Sequence, residues 1–335
     1  MPDTSPRFSV LIVNYNGGAY VQGALDSLKQ QTFRDFEVIL IDNASSDGSV
    51  DNLATEGLPA FTLLKQEDNL GFAAGNNLGA RHARGRWLAL LNPDAVAVPD
   101  WLQKVADAAD RHPGVSEFAC TQYELHRPDH LDGVGDAYLL FGFPWRGGFG
   151  HPASALPGTG TCFSPCGASA IIRRDIFEAF HGFDERFFCY CEDVDLGFRM
   201  RLAGETCVFL PEAVIHHAGS GLSSKVSHFS LIHGTRNRIW VYWKNMPLLL
   251  LVLTLPAHVS ISVYLLIRAA MTGTFAPTWK GMSQGIQGLK GLRGKTSAWS
   301  TPQRRIGLWR LARMMAWNPF RMSRLRPHVR PLKGE

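Results

Sequence analysis

Short apolar runs recur along the first half of the chain, each followed by a polar cluster. Phe8–Val13 (FSVLIV) and Phe36–Ile41 (FEVILI) are continuous and rich in β-branched residues, the pattern of buried strands. Phe61–Leu64 and Trp87–Leu91 (WLALL) repeat it. Between the runs the period lengthens to that of a helix. Ala19–Gln31 carries Leu25 and Leu28 on one face, Ala73–Ala83 has helical spacing, and Val50–Glu56 can form a helix between them. A further helix is expected over Trp101–His112, with Pro99 and Asp100 at its start. Strand–helix alternation of this kind predicts an α/β fold with a doubly wound, mostly parallel sheet.

On such sheets ligands bind beyond the carboxyl ends of the strands. Four polar clusters fall there: Asn14–Asn16, Asp42–Asp47, Asn69–Asn77 and Asn92–Asp94. Singly each is an ordinary turn, because Asn, Asp, Gly and Ser are turn formers. Together at one sheet edge they argue for a site. Neither a Gly-x-Gly-x-x-Gly nor a Gly-x4-Gly-Lys-Ser/Thr sequence is present, which counts against dinucleotide-binding and P-loop chemistry.

From Gly114 to Thr161 the pattern blurs into Gly, Pro and aromatic residues, as expected of a binding loop or lid. Cys166–Ile172 reads as a small-residue strand, and Asp175 can cap a helix reaching Phe180. Next come Phe187, Phe188 and Tyr190, then Glu192, Asp193 and Asp195. Adjacent carboxylates in apolar surroundings raise one another's pKa, the device that makes a general base. An acidic helix N-terminus is the plainer explanation, since carboxylates suit the dipole there. The helix is expected over Leu196–Leu202, ended by Gly204, with a strand over Thr206–Leu210 and then His216 and His217. With Asp94, one imidazole and a diphosphate would suit Mg2+ or Mn2+.

The chain has 335 residues, 45% of them hydrophobic, enough for a substantial core. Its net charge of +5 is unevenly spread. From Met271 onward stand 13 Lys and Arg and one acid, Glu335, leaving 21 basic and 28 acidic residues before it. Such a tail points to an anionic membrane or a nucleic acid, and no recognised nucleic-acid motif accompanies it. The polar stretch Met1–Arg7 is unlike a signal peptide, so the six cysteines are expected as reduced thiols. Cys162-x3-Cys166 and Cys189-x-Cys191 lack the usual zinc-site spacing.

In order and spacing the chain resembles the family 2 inverting glycosyltransferases of the GT-A fold, and within them the bacterial rhamnosyltransferase-like branch. The residues that carry the resemblance are Asn14-Tyr15-Asn16, Asp42-Asn43-Ala44-Ser45-x-Asp47-Gly48-Ser49, Asn69-Leu70-Gly71-Phe72-x3-Asn76-Asn77-x-Gly79 and Asn92-Pro93-Asp94. Gly182-Phe183-Asp184-Glu185, Glu192-Asp193-Val194-Asp195, His217-x-Gly219-Ser220, Arg236-Asn237 and Lys244-Asn245-x-Pro247 continue it. It spans roughly residues 7–247.

The resemblance implies a nucleotide-sugar donor. Asp42 contacts the base, and Asn14, Asn16, Asn43, Asn69, Gly71, Asn76, Asn77 and Asn92 help line its pocket. Asp94 fills the last position of the family's Asp-x-Asp metal motif, while Asn92 replaces the first acid. His217 matches the histidine that binds metal or diphosphate, with His216 second. Asp193 matches the catalytic base, with Glu192 beside it. A divalent metal, Mg2+ or Mn2+, is the implied cofactor.

Pro247–Ile267 contains no acid, Lys or Arg and is long enough for one membrane crossing. Pro256, His258 and several hydroxyl residues interrupt it, so a buried core helix is the competing reading. Arg304, Arg305, Arg310 and Arg313, interleaved with Ile306, Leu308, Trp309, Leu311 and Trp317, predict an amphipathic surface helix. The expected organisation is a GT-A domain over 1–246, a membrane-embedded or re-entrant segment over 247–270, and a basic amphipathic tail over 271–335. The expected setting is the cytoplasmic face of the bacterial inner membrane, with a lipid-linked glycan as acceptor and no nucleic-acid partner. A nucleotidyltransferase would want a basic phosphate loop near the N-terminus, and Asn14–Gly18 holds no Lys or Arg. A non-catalytic binding scaffold is opposed by the presence of Asp94, Asp193 and His217.

Overall fold

The computed structural model describes residues 5–219, 227–293, 299 and 304–332. Ser220 of the family pattern and the tail bases Lys295 and Lys333 lie outside the described residues.

The N-terminal half follows the apolar runs closely. β1 (Phe8–Asn14), α1 (Tyr20–Lys29), β2 (Phe36–Asp42), β3 (Phe61–Lys65), α2 (Gly71–His82) and β4 (Trp87–Leu90) alternate as expected. β4, β1, β2 and β3 lie side by side in parallel, with Asn14 beside Asp42 at their carboxyl ends. β1 and β2 are buried along their whole length because helices cover both sheet faces. The helix expected over Val50–Glu56 is absent. That segment is a series of turns, with Asn52 left-handed at φ 56°, through which Val50 and Leu53 still reach the core.

β5 (Ala95–Ala97) and α3 (Trp101–Arg111) lead to the stretch expected to be irregular. It is instead largely strand: β6 (Glu117–Glu124), β7 (Arg127–Gly133), β8 (Asp136–Leu139) and β9 (Phe143–Arg146). β7 reads RPDHLDG, so pairing with β6, rather than apolar alternation, makes it a strand. β10 (Gly160–Thr161) follows, and the expected Cys166–Ile172 strand shrinks to β11 (Ile171–Arg173). Gly167–Ser169 forms a 3-10 turn instead, where Asn92 N–H donates to the Ala168 carbonyl at 3.0 Å. β11 runs antiparallel between β4 and β6, making the sheet mixed in its second half.

α4 (Arg174–Ala179), α5 (Glu192–Ala203) and β12 (Cys207–His217) complete the catalytic body. α5 begins four residues earlier than expected, so Glu192, Asp193 and Asp195 occupy its first turn. β12 pairs parallel to β6, shifts register between Leu210 and Val214, and ends on His217.

α6 (His228–Asn245), α7 (Leu248–Met271) and α8 (Phe275–Gln287) follow. The expected tail helix is only α9 (Leu308–Met314), followed by α10 (Pro319–Ser323) and β13 (Arg330–Pro331). This segment packs back onto the body. Leu311, Ala312 and Met315 are buried with Tyr138 and Phe198, and β13 pairs with β10 at the sheet edge.

Candidate active site

The strand-end clusters converge as a hydrogen-bonded rim. Asn14 Nδ2 donates to Asp42 Oδ1 at 3.1 Å, Ser45 Oγ at 3.0 Å and Ser49 Oγ at 2.9 Å. Its Oδ1 accepts from Gly17 N–H. Asn16 is left-handed at φ 54° and accepts from Ser46 N–H, tying the first loop to the second. Asn43 Nδ2 donates to the Gly71 carbonyl, and Asn69 Oδ1 accepts from Gly71 N–H. Gly71 itself is at φ 79°, and a Cβ there would lie 2.5 Å from the Phe188 ring. Glycine is therefore required at this junction between α2 and the loop before α5. Asn43 Oδ1 and Asn76 Oδ1 are buried without partners, leaving two acceptors beside the rim.

Asn77 sits apart from this group. Its Nδ2 donates to the Phe183 carbonyl and Glu185, and its Oδ1 accepts from Phe183 N–H. It holds the approach to α5 in place.

Asp94 and His217 meet as their positions implied. His217 Nε2 lies 3.1 Å from Asp94 Oδ1 and 3.1 Å from the Asn92 amide. His217 Nδ1 lies 2.8 Å from Asp132 Oδ2, and Arg146 pairs with the same carboxylate at 2.7 Å. Burial opposes a charge on His217, but the bonds to Asp132 and Asp94 outweigh it and raise its pKa to about 9. Burial would likewise raise Asp132, yet Arg146 and His217 leave its pKa lowered. A carboxylate and an imidazole nitrogen, with the Asn92 side chain beside them, suit Mg2+ or Mn2+ when the cation takes the place of the proton on Nε2, and the Asp132 bond to Nδ1 orients Nε2 toward such an ion. The donor set thus fits a divalent cation. His216 faces elsewhere, with its ring 5.8 Å from Tyr123.

A cavity of about 470 Å3 joins Asn92 and the Gly167 turn to Glu192, Asp193, Trp145 and the α6 residue Arg238. Asp193 Oδ2 accepts from Gly167 N–H and Oδ1 from Val194 N–H, both at 2.8 Å. Burial raises its pKa, and the two N–H groups and Arg146 only partly offset that. Glu192 is buried with an unpartnered Oε2; burial first, then the Asp193 charge, pushes its pKa well up. Asp136 behaves similarly, raised by burial and by Asp193, and its carboxyl clusters with Asp193 and Cys166. Asp193 is therefore a carboxylate of increased basicity flanked by two carboxyls that hold their protons more tightly. Asp195 belongs to the core: it pairs with Arg199 at 2.9 Å and Lys244 at 2.8 Å, and accepts from Asn245 at 2.7 Å.

The loop into α5 is strained. Phe188, Tyr190 and Cys191 all have φ between 65° and 74°. Such conformations cost about 1–3 kcal/mol each and persist only where neighbours impose them. Asn237 supplies the constraint, its Nδ2 lying 3.0, 2.9 and 2.7 Å from the carbonyls of Phe187, Cys189 and Tyr190. Arg236 adds a 2.8 Å bond to the Phe187 carbonyl.

The profile of the family described as Glycosyl transferase family 2 matches residues 9–180, just over half the chain. The chain is a family 2 glycosyltransferase. It falls in the bacterial rhamnosyltransferase-like branch. An N-acetylglucosaminyl-diphospho-decaprenol L-rhamnosyltransferase of Mycobacterium tuberculosis is 31% identical, over 70% of this chain and 82% of that protein. The O-antigen biosynthesis protein RfbC of Myxococcus xanthus is also 31% identical, over 64% of this chain and 17% of that longer protein. Among solved structures, the Pyrobaculum calidifontis mannosyltransferase PcManGT with GDP-Man and Mn2+ superposes with a TM-score of 0.52 at 19% identity, covering 85% of this chain and 86% of that one. GalNAc-T7 with UDP, GalNAc and Mn2+ gives 0.56 at 16% identity, covering 72% and 48%. At these identities the structures establish that this glycosyltransferase has the GT-A-like fold.

Asp132, Asp136, Arg146 and Arg238 were not singled out from the sequence. The first three stand in the region that reads as irregular, where only the aromatic and glycine content hinted at a site. The Asn and Asp residues of the strand-end clusters, by contrast, stood out in the sequence.

Proposed function

We propose that this glycosyltransferase moves a rhamnosyl group from dTDP-rhamnose to a lipid-linked glycan, with inversion, at the cytoplasmic face of the bacterial inner membrane. The observation that carries the mechanism is Asp193: a carboxylate of raised pKa, fixed by two backbone N–H groups, in the same cavity as Asn92. The acceptor hydroxyl attacks the anomeric carbon from the face opposite the diphosphate. Asp193 takes the hydroxyl proton as the new C–O bond forms. The bond to the diphosphate breaks in the same displacement, so the anomeric configuration inverts. Glu192 stands beside it, with burial and the Asp193 charge pushing its pKa up.

Asp94, His217 and Asn92 would hold the divalent cation, which stabilises the departing diphosphate as a Lewis acid. Asp132 and Arg146 keep His217 oriented for that role. Asp42 accepts from the imide N–H of a pyrimidine, which thymine and uracil present and cytosine lacks. Asn14, Asn16, Asn43, Asn69, Gly71 and Asn76 shape the nucleotide side of the cleft, with Asn77 supporting it from behind. The activity named for the Mycobacterium tuberculosis relative supports both the rhamnosyl donor and the diphosphate-lipid acceptor. The Mn2+ printed with GDP-Man in one superposed structure and with UDP and GalNAc in the other supports the metal.

The membrane assignment rests on α7, which is amphipathic with its polar side inward. Thr254, His258 and Ser262, one turn apart, are buried against the body, while Leu248, Leu249, Val252, Leu253, Val259 and Tyr264 are exposed. Its long axis carries a mean hydropathy of 2.1 with few buried residues. A helix packed this way lies along a bilayer surface and presents its apolar face to lipid.

The test is transfer to a polyprenyl-diphosphate glycan from dTDP-rhamnose, UDP-glucose, UDP-galactose and GDP-mannose in competition. Preferential use of dTDP-rhamnose, with an inverted linkage by NMR, supports the reading. Preference for a UDP-hexose would replace the donor and retain the mechanism.

A further inference from the structure

Among the described residues the buried cations are paired, whereas the half-buried Arg238 in the cavity is not. Arg199 meets Asp195, Arg201 meets Glu117, and Lys244 meets Asp184 and Asp195. Arg146 meets Asp132. Arg238 on α6 has no hydrogen-bond or ion-pair partner among the described residues, and its Nε is buried and unsatisfied. Its guanidinium stacks over the Phe143 ring at 4.6 Å and lines the cavity that holds Asp193. Burial lowers its pKa to about 10, so it stays charged at neutral pH. A partly buried charge without a counter-ion carries a desolvation cost, and an anionic ligand would reduce it.

The surroundings indicate which anion. The donor diphosphate has its own place beside Asp94 and His217. Arg238 stands on the other element of the cavity, the helix that runs through Met246 directly into α7. Phe143 links the two: its ring lies 4.9 Å from His258 of α7 and under the Arg238 guanidinium. Leu231, Pro144 and Trp145 add apolar lining next to the guanidinium. An anion held here and joined to a hydrocarbon chain would have Leu231, Pro144 and Trp145 beside it and would stand on the helix that leads into α7.

We propose that Arg238 binds the diphosphate of a prenyl-diphosphate acceptor, placing its sugar toward Asp193 and its hydrocarbon toward α7. This rests on the lipid-linked acceptor in the function proposed above. Arg238 is a specificity-determining residue in this scheme: it makes the enzyme prefer an acceptor that carries phosphate. The planar guanidinium can bind two phosphate oxygens at once, whereas a lysine would offer a point charge.

The test is binding of farnesyl diphosphate to the full chain, by calorimetry in detergent, for wild type, Arg238→Gln and Arg238→Lys. The expected result is at least tenfold weaker binding in Arg238→Gln, with Arg238→Lys between. Farnesol should bind neither protein at the same concentrations, and inorganic pyrophosphate should compete with farnesyl diphosphate. The dTDP affinity should be equal in wild type and Arg238→Gln. The melting temperature of Arg238→Gln should be no lower than that of wild type, because the variant removes an unpaired, partly buried charge. A purely structural stacking role predicts a lower one. Equal farnesyl diphosphate affinity in wild type and Arg238→Gln, or no binding to wild type, overturns the proposal. A matching loss of dTDP affinity also overturns it, by assigning Arg238 to the donor. Binding requires no transfer, so the two readings separate. A wild type that binds farnesyl diphosphate through Arg238, yet transfers to no diphosphate acceptor, refutes the proposed function and leaves the anion subsite standing.

Discussion

The Gly167 N–H donates to Asp193 Oδ2 at 2.8 Å, joining a turn beside β4 to the first turn of α5. A Cβ at Gly167 would lie 3.3 Å from that same oxygen and 3.1 Å from the Phe72 ring. Small residues are needed there so that backbone, rather than a side chain, can hold the base. The bond leaves Asp193 lone pairs for an acceptor hydroxyl while fixing its orientation, the arrangement that positioned general bases require.

Asp193→Asn should therefore abolish transfer while keeping nucleotide affinity within about twofold. The amide preserves the shape and one of the two backbone bonds but cannot take the proton, and general-base catalysis contributes roughly 10²–10⁴-fold. Turnover of radiolabelled or fluorescent donor, together with dTDP calorimetry, measures both. Wild-type turnover in the variant would remove Asp193 from the mechanism.

The pH dependence follows from the same residue. Asp193 must be ionised to act, and its pKa is raised above the ordinary carboxylate range by burial. The acidic limb of kcat/KM should consequently lie above pH 4, with activity rising as pH increases through the raised pKa. The stability effect has the opposite sign. A carboxyl that binds its proton more tightly when folded loses stability as pH rises from its unfolded to its folded pKa. Asp193→Asn should lack that contribution, which thermal melts across acidic pH would show.

The metal side is tested through a residue that never touches the ion. Asp132 holds His217 Nδ1 at 2.8 Å, and loss of such outer partners typically weakens metal binding by about 10–100-fold. Asp132→Asn should weaken Mn2+ binding within that range, and Asp94→Ala should weaken it further with partial rescue by excess metal. Manganese EPR on the purified full chain reads the affinity directly. Unchanged Mn2+ affinity in both variants would argue against cation binding at this site.

How much of this was written in the sequence depends on the kind of strand. β1, β2 and β4 are buried on both faces, so FSVLIV, FEVILI and WLALL announce themselves, and their ends mark Asn14, Asp42 and Asp94. β7 is an antiparallel strand with Arg127, Pro128, Asp129 and His130 in a row, and periodicity carries no sign of it. Asp132 was hidden for that reason, since its importance comes from lying opposite His217, 85 positions away. Val50–Glu56 failed in the other direction: Val50 and Leu53 pack on the core, yet the segment does so through turns, with Asn52 left-handed. Asn77 had the right family position and the right residue type, yet its polar atoms are turned to Phe183 and Glu185. A side chain's direction is fixed by tertiary contacts that a linear pattern does not contain.

Asn237 gives a test of the strained loop. Its amide serves three carbonyls between Phe187 and Tyr190, so Asn237→Ala leaves buried acceptors unsatisfied. The expected loss of stability is about 1–3 kcal/mol. Activity should fall more than stability implies, because the loop sets the start of α5 and hence Asp193. Thermal melts and kcat at a temperature where the variant is fully folded separate the two effects.

The last prediction concerns α7. Its exposed leucines gain nothing from water, and only its inner side, with Leu251, Ile261 and Leu265, joins the apolar clusters of the body. The natural partner of the outer face is hydrocarbon, and the basic tail supplies attraction to anionic headgroups of about 1 kcal/mol per nearby Lys or Arg. Leu249 and Leu253 are 57% and 67% exposed, so replacing both with Glu should leave the core undisturbed. The Leu249→Glu, Leu253→Glu protein should bind vesicles of phosphatidylcholine and phosphatidylglycerol at least tenfold more weakly than wild type. Its melting temperature and its use of a water-soluble acceptor analogue should match wild type. Wild-type binding should itself weaken as salt rises, since the headgroup attraction is screened over about 10 Å at 0.1 M ionic strength. Co-sedimentation at low and high salt reads all of this. A double variant that pellets with vesicles as fully as wild type would show that α7 is not the lipid-facing element.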